Sequence, residues 1–371
     1  MTHTDIKTPE AATIPKDRIV CIFGMGLLGG SIALGLRERG LAREVWAFDP
    51  DAAALEAALV LGAADRVFTS LGPWIKDVDL GVLSAPTRAI IGLADGIAPW
   101  AKAEALWLDV GSTKGAIVEA VPLVLPNFVG THPMAGRETP GVQHAYAGLL
   151  QSAIWAICPT PETPEGVLRA VTALVEDLGA YPLTLDAKAH DRAVARISHV
   201  PWLLATALNL QLAADPDATT LLALAAGGFR DLTRVASGAP EMSRDMVISN
   251  AVEVRVALRE LGATLVHLSG LLDSPEALLD EATRAKRTRD SLPIVRRSLL
   301  PRVYDVVVSL DDRPLELASL TRVLGEAGIN IRDIEILKIR DGAEAIRVGV
   351  ASDGDLDAAK DALGRAGYRY R

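Results

Sequence analysis

Ile19-Val20-Cys21-Ile22-Phe23, followed at once by Gly24-Met25-Gly26-Leu27-Leu28-Gly29 and the helical pattern Ser31 to Arg39, decides the fold. An apolar strand starting at Arg18, a glycine-rich turn and a helix closed by Gly40 follow one another without a spacer. A second strand, Glu44 to Phe48, ends on Asp49. Each part has a task in holding a dinucleotide. Gly24 permits the tight turn, Gly26 lets the backbone approach a pyrophosphate, and Gly29 allows close packing of helix on strand. The helix start, with the backbone of Leu27 and Leu28, offers free N–H groups and a partial positive charge to phosphates. Asp49 is suited to accept hydrogen bonds from both ribose hydroxyls and to repel a 2′-phosphate, which favours NAD over NADP. Ser84, just past a later strand, is assigned to the same cofactor site.

Outward from this nucleus the strand candidates Leu80 to Leu83, Ala105 to Asp109, Asn127 to Gly130 and Ala153 to Cys158 alternate with helical stretches. That rhythm predicts a doubly wound, Rossmann-type α/β sheet covered on both faces over residues 17–185, behind a loose tail at 1–16. From Asp186 the strand signals vanish and Ala/Leu-rich helical segments run to residue 292, broken at Pro216, Gly227 and Pro275. So much apolar helical surface calls for a partner, and a homodimer through this domain is expected. Pro293 to Pro301 reads as a linker, and residues 302–371 show strand, helix, strand, strand, helix, strand, the ferredoxin-like α+β order.

Composition narrows the function. The chain has 371 residues, half of them apolar, and a net charge of −9, so neither nucleic acid nor an anionic membrane surface is an expected partner. Cys21 and Cys158 both fall in apolar runs and imply neither a disulfide framework nor a metal site. The polar start lacks the pattern of a signal peptide, and no apolar run reaches the length of a membrane span, so a cytoplasmic protein acting on a small molecule is expected.

Three later segments put polar residues where an apolar core has no use for them. Asp109-Val110-Gly111-Ser112-Thr113-Lys114 and Gly130-Thr131-His132-Pro133-Met134-Ala135-Gly136-Arg137-Glu138 both follow strand ends, where open α/β sheets bind ligands. The third set lies in the helical domain: His190-Asp191, Ser198-His199-Val200-Pro201-Trp202 and Gly227-Gly228-Phe229-Arg230-Asp231-Leu232-Thr233-Arg234.

As an ordered set, these motifs together with the glycine-rich turn resemble the prephenate and arogenate dehydrogenases over about residues 18–259. The resemblance implies that His132 accepts a hydrogen bond from the substrate 4-hydroxyl, that Ser112 helps hold that contact, and that Arg230 binds a substrate carboxylate. Lys114, His199 and Trp202 are also assigned to the substrate, with Glu138 toward the substrate side chain. Trp202 stands where many members carry a second histidine. The chemistry supports the scheme: a neutral imidazole on the hydroxyl takes the proton as hydride leaves the same carbon, worth about 10²–10⁴ in rate. Arg230 can grip a carboxylate through two parallel hydrogen bonds. No metal is required. The expected activity is NAD-dependent oxidative decarboxylation of prephenate in tyrosine biosynthesis. The alternatives are an arogenate or dual-specificity cyclohexadienyl dehydrogenase, a β-hydroxyacid dehydrogenase, which relies on a helical-domain lysine where this region offers His190, His199 and Arg230, and a non-catalytic NAD and amino-acid sensor.

The C-terminal segment resembles an ACT domain through Asp311, Arg313, Pro314 and Leu315 before its first helix and Asn330 and Ile331 after it. Such domains pair, with ligand held between the first loop of one copy and the helix of its neighbour. Tyrosine is the expected effector. The competing reading is a module that only strengthens assembly.

Overall fold

The computed structural model describes residues 17–136, 139–291, 304–311, 313, 315–338, 343–350 and 352–370. The expected tail at 1–16, the linker at 293–301, Glu138 and Pro314 lie outside the described residues. The chain forms two compact units, residues 1–273 and 274–371.

The first unit is built on an eight-stranded sheet in the order β3-β2-β1-β4-β5-β6-β7-β8. Its strands are β1 (Ile19–Phe23), β2 (Glu44–Phe48), β3 (Arg66–Phe68), β4 (Leu80–Leu83), β5 (Leu106–Asp109), β6 (Phe128–Pro133), β7 (Ile154–Cys158) and β8 (Tyr181–Thr184). The helices α1 (Leu27–Glu38), α2 (Ala52–Val60), α3 (Ile90–Ile97), α4 (Gly115–Ala120) and α5 (Glu165–Asp177) connect them. Alternation along β1 serves both faces. Val20 and Ile22 join Ile32 and Leu36 of α1 and Val171 and Leu174 of α5 in one core layer. Ile19, Cys21 and Phe23 join Ile90, Ile97 and Ile117 in the other.

The doubly wound expectation holds for this sheet, with three differences. Helix α1 begins at Leu27, four residues before the apolar pattern becomes regular, because the glycines that blur the pattern sit in its first turn. Strands β3 and β8, not expected from the sequence, lie at the sheet edges: β3 has three residues, and β8 carries Pro182, tolerated where the ladder has one free side. Finally, β7 runs antiparallel to β6, whereas the expected rhythm is parallel throughout. Among its described residues the link between them contains only short 3-10 turns, at Val142–His144 and Ala147–Leu150, and no crossover helix carries the chain back to a parallel start.

The helical part of this unit comprises α6 (Ala187–Val194), α7 (Val200–Ala214), α8 (Ala218–Leu224), α9 (Gly227–Thr233), α10 (Pro240–Ser249) and α11 (Ala251–Gly270). A π-turn at Ala195–His199 joins α6 to α7 without a break. Pro201 explains its position: lacking an N–H, it cannot close the α-helical bond to the preceding turn, and the widened turn absorbs the mismatch.

Helix α12 (Pro275–Ser291) falls in the second unit, whereas the sequence pattern carries the helical domain to 292. There β9 (Tyr304–Asp311), α13 (Glu316–Glu326), β10 (Ile331–Lys338), β11 (Ala343–Val350), α14 (Asp353–Arg365) and β12 (Arg369–Tyr370) realise the expected βαββαβ order. The sheet runs β10-β11-β9-β12, and Val306, Val308, Ile346 and Val348 pack under Leu320, Leu324 and Leu363.

Candidate active site

Parallel pairing of β1 with β4, β4 with β5 and β5 with β6 brings their C-terminal ends to one edge of the sheet. The strand order reverses beside β1, the place where such sheets open a crevice for ligand. Gly24 sits there with φ +112°, and a Cβ on it would come within 2.5 Å of the Ser84 carbonyl oxygen. A Cβ on Gly29 would strike the Gly24 carbonyl oxygen at 2.1 Å, whereas one on Gly26 would meet nothing within 4 Å. The Gly26 site is therefore open toward whatever approaches the start of α1, where no side chain caps the first turn. Asp49 accepts from Met25 N at 2.7 Å and from Asp51 N at 2.9 Å, which pins the carboxylate against the glycine turn.

At the neighbouring strand ends a polar chain crosses from the sheet to the helices. His132, at the end of β6 and partly buried, places Nδ1 2.9 Å from His190 Nε2. His190 Nδ1 lies 2.8 Å from Asp191 Oδ1. Asp191 also accepts from Lys114 N at 2.8 Å and Gly115 N at 2.7 Å, tying the loop after β5 to α6. Asn250, between α10 and α11, donates from Nδ2 to the Asp191 carbonyl at 2.7 Å and lies 3.3 Å from His199 Nδ1. His190, Asp191, His199 and Asn250 are all buried.

This geometry assigns the protons. Burial opposes the Asp191 charge, but the bonds from His190 and from the amides of Gly115 and Lys114 outweigh it and hold the carboxyl below its ordinary range. An ionised Asp191 accepts only, so His190 carries its proton on Nδ1 and, while neutral, presents a lone pair at Nε2. His132 then donates from Nδ1. Its own Nε2 is left as the free base, and the imidazole is kept neutral: burial first, then the Lys114 ammonium and the other two histidines, press its pKa well below the usual value. Burial also drives His199 down to about 4.

Lys114, expected at the substrate, is fully buried with Asp109 as its ion-pair partner and Thr131 O as a second acceptor at 2.6 Å. Asp109 in turn accepts from Gly111 N at 2.8 Å and Thr131 N at 2.9 Å; burial pushes its carboxyl up against the pull of Lys114 and those amides. The pair braces the ends of β5 and β6. Ser112 meets Thr87, Oγ to Oγ1 at 3.1 Å, and no hydrogen bond joins it to His132. Arg230 lies exposed on α9, and no hydrogen bond or ion pair connects it to the histidine chain among the described residues. The buried indole Nε1 of Trp202 has no hydrogen-bond partner among the described residues. The parts that sequence reasoning left without a role are His190, Asp191, Thr87 and Asn250. The adjacency of His190 and Asp191 was the one signal available.

In the second unit, Asp311 closes β9 and Leu315 sits exposed in the following turn with φ +74°. Asn330 precedes β10 and Ile331 opens it, and Ile331 is level with Val350 and so with Tyr304, the far end of β9. At about 3.3 Å per residue the two halves of the expected effector site are roughly 23 Å apart within one chain.

The chain is similar to known proteins. The family described as prephenate dehydrogenase, nucleotide-binding domain, matches residues 32–183, and its dimerization domain matches residues 186–280. The prephenate dehydrogenase of Bacillus subtilis is 30% identical over 362 residues, covering 95% of this chain and 97% of its own length. The crystal structure of prephenate dehydrogenase from Aquifex aeolicus, in complex with hydroxyphenyl propionate and NAD+, is 30% identical with a TM-score of 0.72 and covers 74% of this chain and 98% of that one. Synechocystis arogenate dehydrogenase is similar at 27% identity and a TM-score of 0.66, covering 73% and 99%. This chain therefore belongs to the prephenate dehydrogenase family.

Proposed function

We propose that this chain oxidatively decarboxylates prephenate to 4-hydroxyphenylpyruvate. The carrying observation is His132: a neutral imidazole at a sheet end beside the nucleotide turn, with Nδ1 engaged and Nε2 without a hydrogen bond among the described residues. The cofactor is NAD. The residues present fit it, since Gly26 leaves open space before an uncapped helix start and Asp49 is fixed where the adenosine ribose of a dinucleotide lies. Bound NAD supplies the hydride acceptor.

The protein's own residues do the rest. His132 Nε2 takes the 4-hydroxyl proton as the carbon beneath it is oxidised, and loss of carbon dioxide leaves an aromatic ring. Ser112, through Thr87, orients the loop between cofactor and substrate. Arg230 binds a substrate carboxylate, with Glu138 toward the side chain. Trp202, in place of the family's second histidine, offers its unpartnered N–H to a substrate oxygen, where an uncharged donor gives direction without charge. His199 supports the site from behind through Asn250.

The helical region leaves Leu222, Leu224, Val252 and Val266 exposed, an apolar surface suited to a second copy of the chain. The C-terminal module acts as an ACT domain that binds tyrosine across two copies, because one copy holds the halves of the site apart. Among the described residues no helix is long and apolar enough to cross a membrane, in keeping with a cytoplasmic enzyme.

Arogenate is the second reading, favoured by the Synechocystis relative. NADH formation with prephenate and with arogenate, each with and without tyrosine, separates these. Turnover of prephenate slowed by tyrosine is the expected result, and NAD binding without turnover of either substrate would refute the reading.

A further inference from the structure

The hydrogen-bonded chain behind His132 is longer than positioning requires. One carboxylate would orient an imidazole; here a second imidazole stands between them, buried and in line. Its charged surroundings are uneven. His132 shares its environment with the Lys114 ammonium, itself paired with Asp109, and with His199, while His190 abuts the Asp191 carboxylate directly. A positive charge is disfavoured at the first ring and compensated at the second.

We infer that the base of this site is the His132–His190 pair, and that the proton taken from the substrate comes to rest as positive charge on His190 against Asp191. This rests on the dehydrogenase reading above. The O–H bond of the substrate breaks and its proton joins His132 Nε2. The proton on His132 Nδ1 passes to His190 Nε2 across their 2.9 Å contact, while His190 keeps its own Nδ1 proton in the hydrogen bond to Asp191. The electron pair of the O–H bond remains on oxygen as the carbonyl forms, and the hydride leaves to NAD. Loss of carbon dioxide returns an electron pair to that oxygen, which takes back the Nε2 proton of His132 to give the product hydroxyl, while His132 recovers its Nδ1 proton from His190. His132 is the catalytic residue; His190 and Asp191 act through it.

His190→Gln tests this directly. A glutamine amide can donate to Asp191 and accept from His132 Nδ1, preserving tautomer and position, but it cannot take up a proton. The expected result is a kcat lowered about 10²-fold with KM for prephenate and Kd for NAD within about twofold of the parent. The acidic limb of the kcat profile should move down by about one pH unit, because His132 alone beside Lys114 protonates less readily than the pair. A glutamine variant with parental kcat and an unmoved limb would reduce His190 to a spacer and overturn the inference. Nitrogen-15 spectra of histidine-labelled parent enzyme without nucleotide provide a readout independent of turnover and of the variant's folding. Both rings should be protonated at Nδ1 when neutral, and acidification should place the first charge on His190; charge appearing first on His132 would overturn the inference. If the parent oxidises neither prephenate nor arogenate, the dehydrogenase reading fails, while the spectra still decide the order of protonation.

Discussion

Replacing Lys114 with methionine removes the only cation from a pair whose two side chains are both fully buried. The Asp109 carboxylate keeps the amides of Gly111 and Thr131 but loses its counter-charge, and Thr131 O loses a donor. Two unit charges about 4 Å apart interact by about 4 kcal/mol at an effective dielectric of about 20, and breaking one half of a buried pair typically costs about 3–5 kcal/mol. Against the roughly 5–15 kcal/mol that holds a domain folded, that is a large share. Lys114→Met combined with Asp109→Asn removes both charges. The double variant should be more stable than the sum of its parts by at least about 2 kcal/mol, although the asparagine amide cannot accept from both backbone amides. All six tryptophans, Trp46 to Trp202, lie in the first unit, and Trp155 Nε1 donates to Thr131 Oγ1 beside the pair. Urea unfolding followed by tryptophan fluorescence therefore reports on this unit. A single variant costing less than about 1 kcal/mol, or strictly additive costs in the double variant, would refute the account of Lys114 as an internal brace.

Other consequences follow from separate parts of the structure. Gly26→Ala should leave urea stability unchanged, since its Cβ meets nothing within 4 Å, yet weaken NAD binding at least about tenfold by calorimetry, whereas Gly29→Ala, at 2.1 Å from the Gly24 carbonyl, should destabilise the unit itself. His199 is held neutral by burial at a pKa of about 4 against about 6.5 when unfolded, so the unfolded chain binds more protons between those values. Its contribution to stability is complete above pH about 6.5 and declines as pH falls toward 4; His199→Gln should flatten that decline in urea titrations across the window. Leu315→Gly should relieve a left-handed backbone at φ +74°, slowing hydrogen exchange in α13 by up to about 1 kcal/mol of opening free energy, the strain being partly offset by the freer unfolded glycine.

What could be read from the residues in order was whatever local energetics encode. The spacing of Gly24, Gly26 and Gly29 after an apolar strand, the shift from alternating to helical periodicity near Asp186, and the βαββαβ succession at the C-terminus each follow from backbone conformation and the burial of one face or stripe. Tertiary packing alone decided the rest. Lys114 stands in a polar motif and reads as a ligand contact, yet the sheet closes over it, because the ends of β5 and β6 leave Asp109 buried and in need of a cation. Asp191 reaches the amide of Lys114 across 77 positions, and His190 reaches His132 across 58. No periodicity carries information over such separations. The direction of β7 and the separation of Leu315 from Ile331 are likewise properties of strand register, which is set by partners that sequence order does not name.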